Sequence, residues 1–169
     1  MSEPKQIEID INPQLLEGML LRLEHTKWPP TIGEDSWDYG VPKHWMQDMV
    51  NYWTSEWKWE NVAAQINEWK HFSVTIDQVP IHYLHAPGKG PNPKPLVLTH
   101  GWPWTFWDFK DVIGPLSDPE KYGGDPMDSF DVYVPSLPGF IFSSPLTKAG
   151  VDVREIAKLW NILMTKVLG

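Results

Sequence analysis

The sequence predicts an α/β protein: an open sheet with parallel strands, preceded by a helical, tryptophan-rich N-terminal arm. Three observations carry that expectation. Seven of the 11 tryptophans fall between Trp28 and Trp69, where apolar residues recur with helical spacing. After His71 the apolar period drops from about 3.6 residues to about 2. Behind two leading strands the rest of the chain then alternates strand, helix, strand, helix, as sheets with parallel strands do. On this reading residues 1–70 are the helical region and 71–169 the sheet core.

Each element has its own signals. Asn12 is a suitable N-cap and Pro13 suits the first helical position, where a missing N–H costs nothing. Leu15, Leu16, Met19, Leu20 and Leu23 then share a face. The Pro/Gly/Asp stretch 28–42 reads as a connection. From Pro42, Trp45, Met49, Trp53 and Trp57 recur every four residues along a second helix, a stripe expected to pack against the sheet or the arm, with ligand stacking as the alternative. Trp59, Val62, Ile66 and Trp69 mark a third helix.

Val74, Ile76, Ile81 and Tyr83 alternate about a turn at Asp77-Gln78, so two strands are expected there. "LVLTH" (96–100) is short, continuous and β-prone, which suits a strand buried on both faces. Residues 105–117 read as helical and "FDVYV" (130–134) as another buried strand ending in a Pro/Gly turn. In the last helix Asp152 and Glu155 make a capping-box pattern, with Val153, Ile156, Trp160, Leu163 and Val167 on one face.

Composition excludes several roles. A formal net charge of −8 argues against nucleic acid or an anionic membrane as partner. No stretch approaches the roughly 18 apolar residues that span a bilayer, so no membrane anchor is expected. "MSEPKQIEIDINP" lacks a basic segment followed by an apolar one, so it does not read as a secretory signal. With no cysteine there are no disulfides and no thiolate ligands, which fits a cytoplasmic location. The 17 prolines, beside so many aromatics, imply fixed turns and not disorder.

The chemistry, if any, is expected at His100-Gly101-Trp102-Pro103. In parallel sheets ligands bind beyond the carboxyl ends of strands, and this segment follows one directly. A turn there can aim a backbone N–H at a developing oxyanion, with Gly101 permitting the sharp change of direction. The bland alternative is that Gly101 and Pro103 only turn the chain while the tryptophans fill space.

Taken together, "WDYGVP" (37–42), the Trp stripe, "HF", "TID" and "IHYLH" (71–85), "HGWP" (100–103), "GGDP" (123–126) and "FDVYVPSLPGF" (130–140) resemble the microsomal-type epoxide hydrolases. These are α/β-hydrolase-fold enzymes with an extra N-terminal region. The resemblance implies an incomplete α/β-hydrolase fold, its first four strands preceded by the epoxide-hydrolase-type arm. It implies that Trp102 donates its backbone N–H to the oxyanion hole. His100 then shapes the loop instead of acting as the general base, and Pro103 fixes the turn through a cis bond. Relatives open small-molecule epoxides to diols without a metal or organic cofactor. Two departures stand out. Ile141 and Ser144 replace the usual glycines, so that turn is expected to be less tight, and Asp77-Gln78 lacks the usual turn glycine.

The family reaction needs an attacking aspartate, two tyrosines to protonate the leaving oxygen, and a histidine with an acidic partner. By resemblance all of these follow the last helix, so residues 1–169 are expected to carry half an oxyanion hole and to be inactive alone. Asp125 in "GGDPM" is a poor substitute: it precedes a strand, and Pro126 has no N–H to serve as a second donor. His82 and His85 point to opposite faces of a strand, so no metal site is expected from them. No serine lies in a Gly-x-Ser-x-Gly pattern. The strand at 96–100 is expected to be an open edge, favouring self-association or pairing with a complementary chain. A non-catalytic module that pairs with a full-length relative is the main alternative, and an enzyme assembled from two chains is a third reading.

Overall fold

The computed structural model describes residues 2–32 and 36–169. The chain folds as two compact units, one of residues 9–65 and one of residues 1–8 with 66–169.

In the first unit, helix α1 (Pro13–Glu24) begins as its sequence predicts. The Asn12 side chain accepts the Gln14 N–H at 2.9 Å and Pro13 occupies the first turn. Helix α2 (Lys43–Ser55) follows Pro42, and α3 (Trp59–Ile66) closes the run. The tryptophan stripe is a correction. Trp57 lies beyond the end of α2, no residue of α2 is buried, and Trp45 and Trp53 stay 41% and 40% exposed. Within its unit α2 borders α1, and a helix with one such neighbour buries only a narrow strip. Trp37 meets Trp45 edge-on at 5.8 Å.

The second unit is built on a five-stranded sheet. Its strands are β1 (Lys5–Ile7), β2 (Lys70–Ile76), β3 (Val79–Ala86), β4 (Lys94–Val97) and β5 (Phe130–Pro135), in the order β1-β2-β3-β5-β4. Only β4 and β5 are parallel; the other pairs are antiparallel. The sheet is therefore mixed. β1 was invisible to patterning because three residues are too few to show a period, and its partner lies far along the chain. Residues 5–7, placed by sequence with the helical region, join the sheet instead.

β2 and β3 meet through a two-residue turn in which Asp77 and Gln78 take φ of 48° and 68°. The turn keeps the left-handed backbone that glycine usually supplies. Between β4 and β5 the chain crosses over through a 3-10 turn (Phe106–Phe109) and helix α4 (Lys110–Ser117). Helix α5 (Val153–Ile162) continues into a π-helical turn at Leu163–Val167. Asp152 caps α5, accepting the N–H groups of Arg154 and Glu155, but Glu155 pairs with Lys148 and Lys158 instead of reaching back.

Leu159 and Leu163 pack with Val74, Ile76, Val79, Ile81, Tyr83 and Tyr133 as the core of one sheet face. Val153, expected on that buried face, is 79% exposed. The opposite face buries His71, His82, Leu84, Val132 and Val134. β4 lies at the sheet edge, as expected, but it is half-exposed and not buried on both faces, which corrects that part of the expectation.

Candidate functional site

Because β4 and β5 run parallel, their carboxyl ends deliver two loops to one end of the sheet. The first is His100-Gly101-Trp102-Pro103 and the second is Ser136 through Phe140. His100 joins them. Its Nδ1 donates to the Gly101 carbonyl at 3.2 Å, and its Nε2 accepts the Leu137 N–H at 3.0 Å. A carbonyl can only accept and an amide N–H can only donate, so the ring is held neutral with its proton on Nδ1. Phe140 closes on it edge-on at 5.4 Å. Both nitrogens are committed to backbone, which leaves His100 no lone pair with which to take a substrate proton.

The turn itself is closed by the Trp104 N–H donating to the Gly101 carbonyl at 2.8 Å, and Trp102-Pro103 is cis. The Trp102 N–H has no hydrogen-bond acceptor among the described residues. Trp102 and Trp104 are 81% and 61% exposed, so within the chain these side chains do not fill space. Gly101 has no positive φ, and a Cβ built on it meets nothing within 4 Å. Glycine is therefore not needed for the change of direction; it leaves open room over the backbone.

A shallow depression of about 300 Å³ lies here, lined by Thr99, His100, Gly101, Trp104, Asp108 and Phe109. Its walls are tied down. Thr105 and Asp108 form a reciprocal cap on the 3-10 turn, Asp108 accepting the Thr105 N–H at 2.6 Å. From α5 the Trp160 indole N–H donates to the Thr99 hydroxyl at 2.9 Å.

Ile141 opens the 3-10 turn after the second loop with φ of 42°, an outlier for a β-branched residue. That turn is nonetheless closed, Gly139 N–H donating to the Ser143 carbonyl at 3.0 Å and Ser143 N–H to that of Phe140 at 2.8 Å. The expectation of a slacker turn is corrected: isoleucine is held in glycine's conformation.

Asp125 lies before β5, at the opposite end from His100, where its carboxylate caps the 3-10 turn Pro126–Asp128. His82 and His85 serve different clusters. His85 stacks on Tyr133 at 4.4 Å and donates to Asp131 at 2.9 Å, while Tyr133 donates to the other carboxylate oxygen at 2.6 Å. Burial opposes ionisation of Asp131, but the hydrogen bonds from Tyr133, His85 and the Gly88 N–H outweigh it and hold its carboxyl below the ordinary value. Burial and then the bond to Asp131 push the Tyr133 phenol up. Sequence reasoning missed the roles of Leu137, Ser136, Ser143 and the His71–His82 pair. Only the "SLPGF" loop signalled that a corner was there.

The fold is thus a mixed α/β sheet whose adjacent parallel strands end in paired loops, one with a turn amide that has no acceptor among the described residues. The family model for the epoxide hydrolase N terminus matches residues 4–109, and the chain belongs to that family. It is 37% identical to a Stigmatella aurantiaca protein assigned to the epoxide hydrolases, over 95% of this chain and 36% of that one. With rabbit (Oryctolagus cuniculus) epoxide hydrolase 1 it shares 27% identity over 96% of this chain and 37% of the relative. The structure of Aspergillus niger epoxide hydrolase matches with a TM-score of 0.82 at 24% identity, covering 98% of this chain and 43% of that one. The chain thus spans little more than a third of the length of the curated relatives it matches. Among the described residues no helix is long and apolar enough to cross a membrane.

Proposed function

We propose that this chain supplies the oxyanion-binding turn of an epoxide hydrolase, with the Trp102 N–H as a donor. The observation that carries the reading is that amide: it lacks an acceptor, stands at the carboxyl end of β4, and is flanked by a histidine wholly engaged in holding the loop. In the proposed reaction a carboxylate attacks an epoxide carbon and the C–O bond breaks as an acid protonates the leaving oxygen, leaving a hydroxy ester. Water then adds to the ester carbonyl. The charge that develops on the carbonyl oxygen is what a preorganised N–H stabilises, typically by about 3 kcal/mol for one donor. The open space over Gly101 lets that oxygen approach the backbone.

On this reading residues 1–169 form the first part of an α/β-hydrolase sheet, with β4 as the edge on which a further strand pairs. They bind the intermediate but do not form it. The test uses the chain alone and a chimaera in which it replaces the matching third of the Stigmatella aurantiaca relative. The chain should produce no diol from a phenyl-substituted epoxide, and the chimaera should. Replacing the peptide N–H of residue 102 by an ester oxygen should cut the chimaera's turnover about 100-fold or more, whereas Trp102→Ala keeps the N–H and most of the rate. Diol formation by the chain alone, or unchanged turnover with the ester, overturns the reading.

A further inference from the structure

Both loops at the candidate site rest on one buried feature that the oxyanion chemistry does not itself require. The His71 and His82 rings lie side by side and nearly parallel, with centroids 5.1 Å apart. Phe106, from the turn after Pro103, meets the two rings edge-on at 5.6 and 5.0 Å. Phe142, from the loop after β5, meets His82 at 5.3 Å.

The hydrogen bonds through this pair run in one direction. His71 Nε2 must donate, because its partner at 2.9 Å is the Ile66 carbonyl. In a neutral ring Nδ1 then accepts, so His82 Nε2 donates to it at 2.9 Å. That leaves His82 Nδ1 to accept the Ser136 hydroxyl at 2.8 Å. Burial lowers the pKa of both rings, and a charge on His71 would oppose one on His82, which keeps the pair neutral. Backbone bonds complete the corner. Ser136 N–H donates to the His82 carbonyl at 2.9 Å, His82 N–H to the Ser143 hydroxyl at 2.9 Å, and that hydroxyl to the Ser136 carbonyl at 2.8 Å. The next residue is Leu137, whose N–H holds His100.

We propose that the His71–His82 pair is a positioning device for the oxyanion turn. Through Ser136 it fixes the corner whose Leu137 N–H orients His100, and through Phe106 it fixes the segment that leaves Pro103. The assignment rests on Trp102 as the oxyanion donor, but its geometry is measurable without turnover.

The experiment is imidazole and amide NMR on the 15N-labelled chain. His71 and His82 should appear protonated on Nε2 and His100 on Nδ1, with a coupling across the Leu137 N–H to His100 Nε2 bond. Ser136→Ala removes one hydroxyl and His82→Phe keeps the ring packing. Each should abolish that coupling and shift the Trp102 amide. His82→Gln, which retains an acceptor for Ser136 and a donor for His71, should restore both signals. If Ser136→Ala and His82→Phe leave the coupling and the Trp102 amide unchanged in a folded chain, the pair positions nothing. Should His82→Phe fail to fold, Ser136→Ala decides alone. Loss of the oxyanion reading, seen as unchanged turnover with the ester at residue 102, would leave these spectra as they are, so the two failures are distinguishable.

Discussion

The two units obey opposite rules about what an apolar pattern means. In the sheet unit, alternation at Val74, Ile76, Ile81 and Tyr83 translates directly into burial, with each residue almost fully enclosed. In the helical unit, the four-residue aromatic stripe produces a helix but not a core, and neither α1 nor α2 contains a buried residue. Periodicity selects secondary structure because it is a local property. Burial requires a partner surface, and β3 has a strand on each side, whereas α2 borders α1 within its own unit.

The sharpest way to break that comparison is truncation. Ile81→Ala in β3 should cost about 2–5 kcal/mol in chemical denaturation, because its cavity has no route to collapse. Trp53→Ala in α2 should cost under about 1 kcal/mol in the same experiment. Equal losses would mean that the helical unit has a core of its own.

Acid should act on the sheet unit through the histidine pair. Burial, and then the repulsion that a proton on His71 would exert, lower His82 from the ordinary 6.5 to about 3. The unfolded chain therefore takes up the proton first. Stability should be level above about pH 6.5 and fall as pH drops toward about 3, by at most about 1.4 kcal/mol per pH unit from this residue. His71 adds a loss of the same sign; the nearby Glu8 lines a depression beside it. Asp131, held below its ordinary value, adds its own loss at the acid end. Denaturation midpoints for the parent chain and His82→Phe across this range isolate the His82 share, and parallel curves would remove it.

Smaller effects test the backbone. Ile141→Gly should stabilise by about 1 kcal/mol, since φ of 42° strains a β-branched residue and not glycine. A lower melting temperature would show that the isoleucine side chain contributes more than its backbone costs. Gly101→Ala should leave stability within about 0.5 kcal/mol, because its Cβ has open space. The same change in the chimaera should lower turnover by filling that space.

Much of this molecule is legible in its sequence, and the reason is locality. The caps at Asn12 and Asp152, the hairpin about Asp77-Gln78, the order of strands and helices, and the placing of His100–Pro103 after a strand all depend on neighbours a few residues apart. The resemblance through "HGWP" and "PSLPGF" marked the two loops and implied a helper role for His100. What tertiary structure decided involves residues far apart in the chain: β1 pairing with β2, Trp102 left exposed, and His71, His82 and Ser136 joined in one proton order. A buried histidine reads the same in sequence whether it ligates, catalyses or braces. Only the acceptors and donors that folding brings to its nitrogens settle which proton it carries, and therefore what it can do.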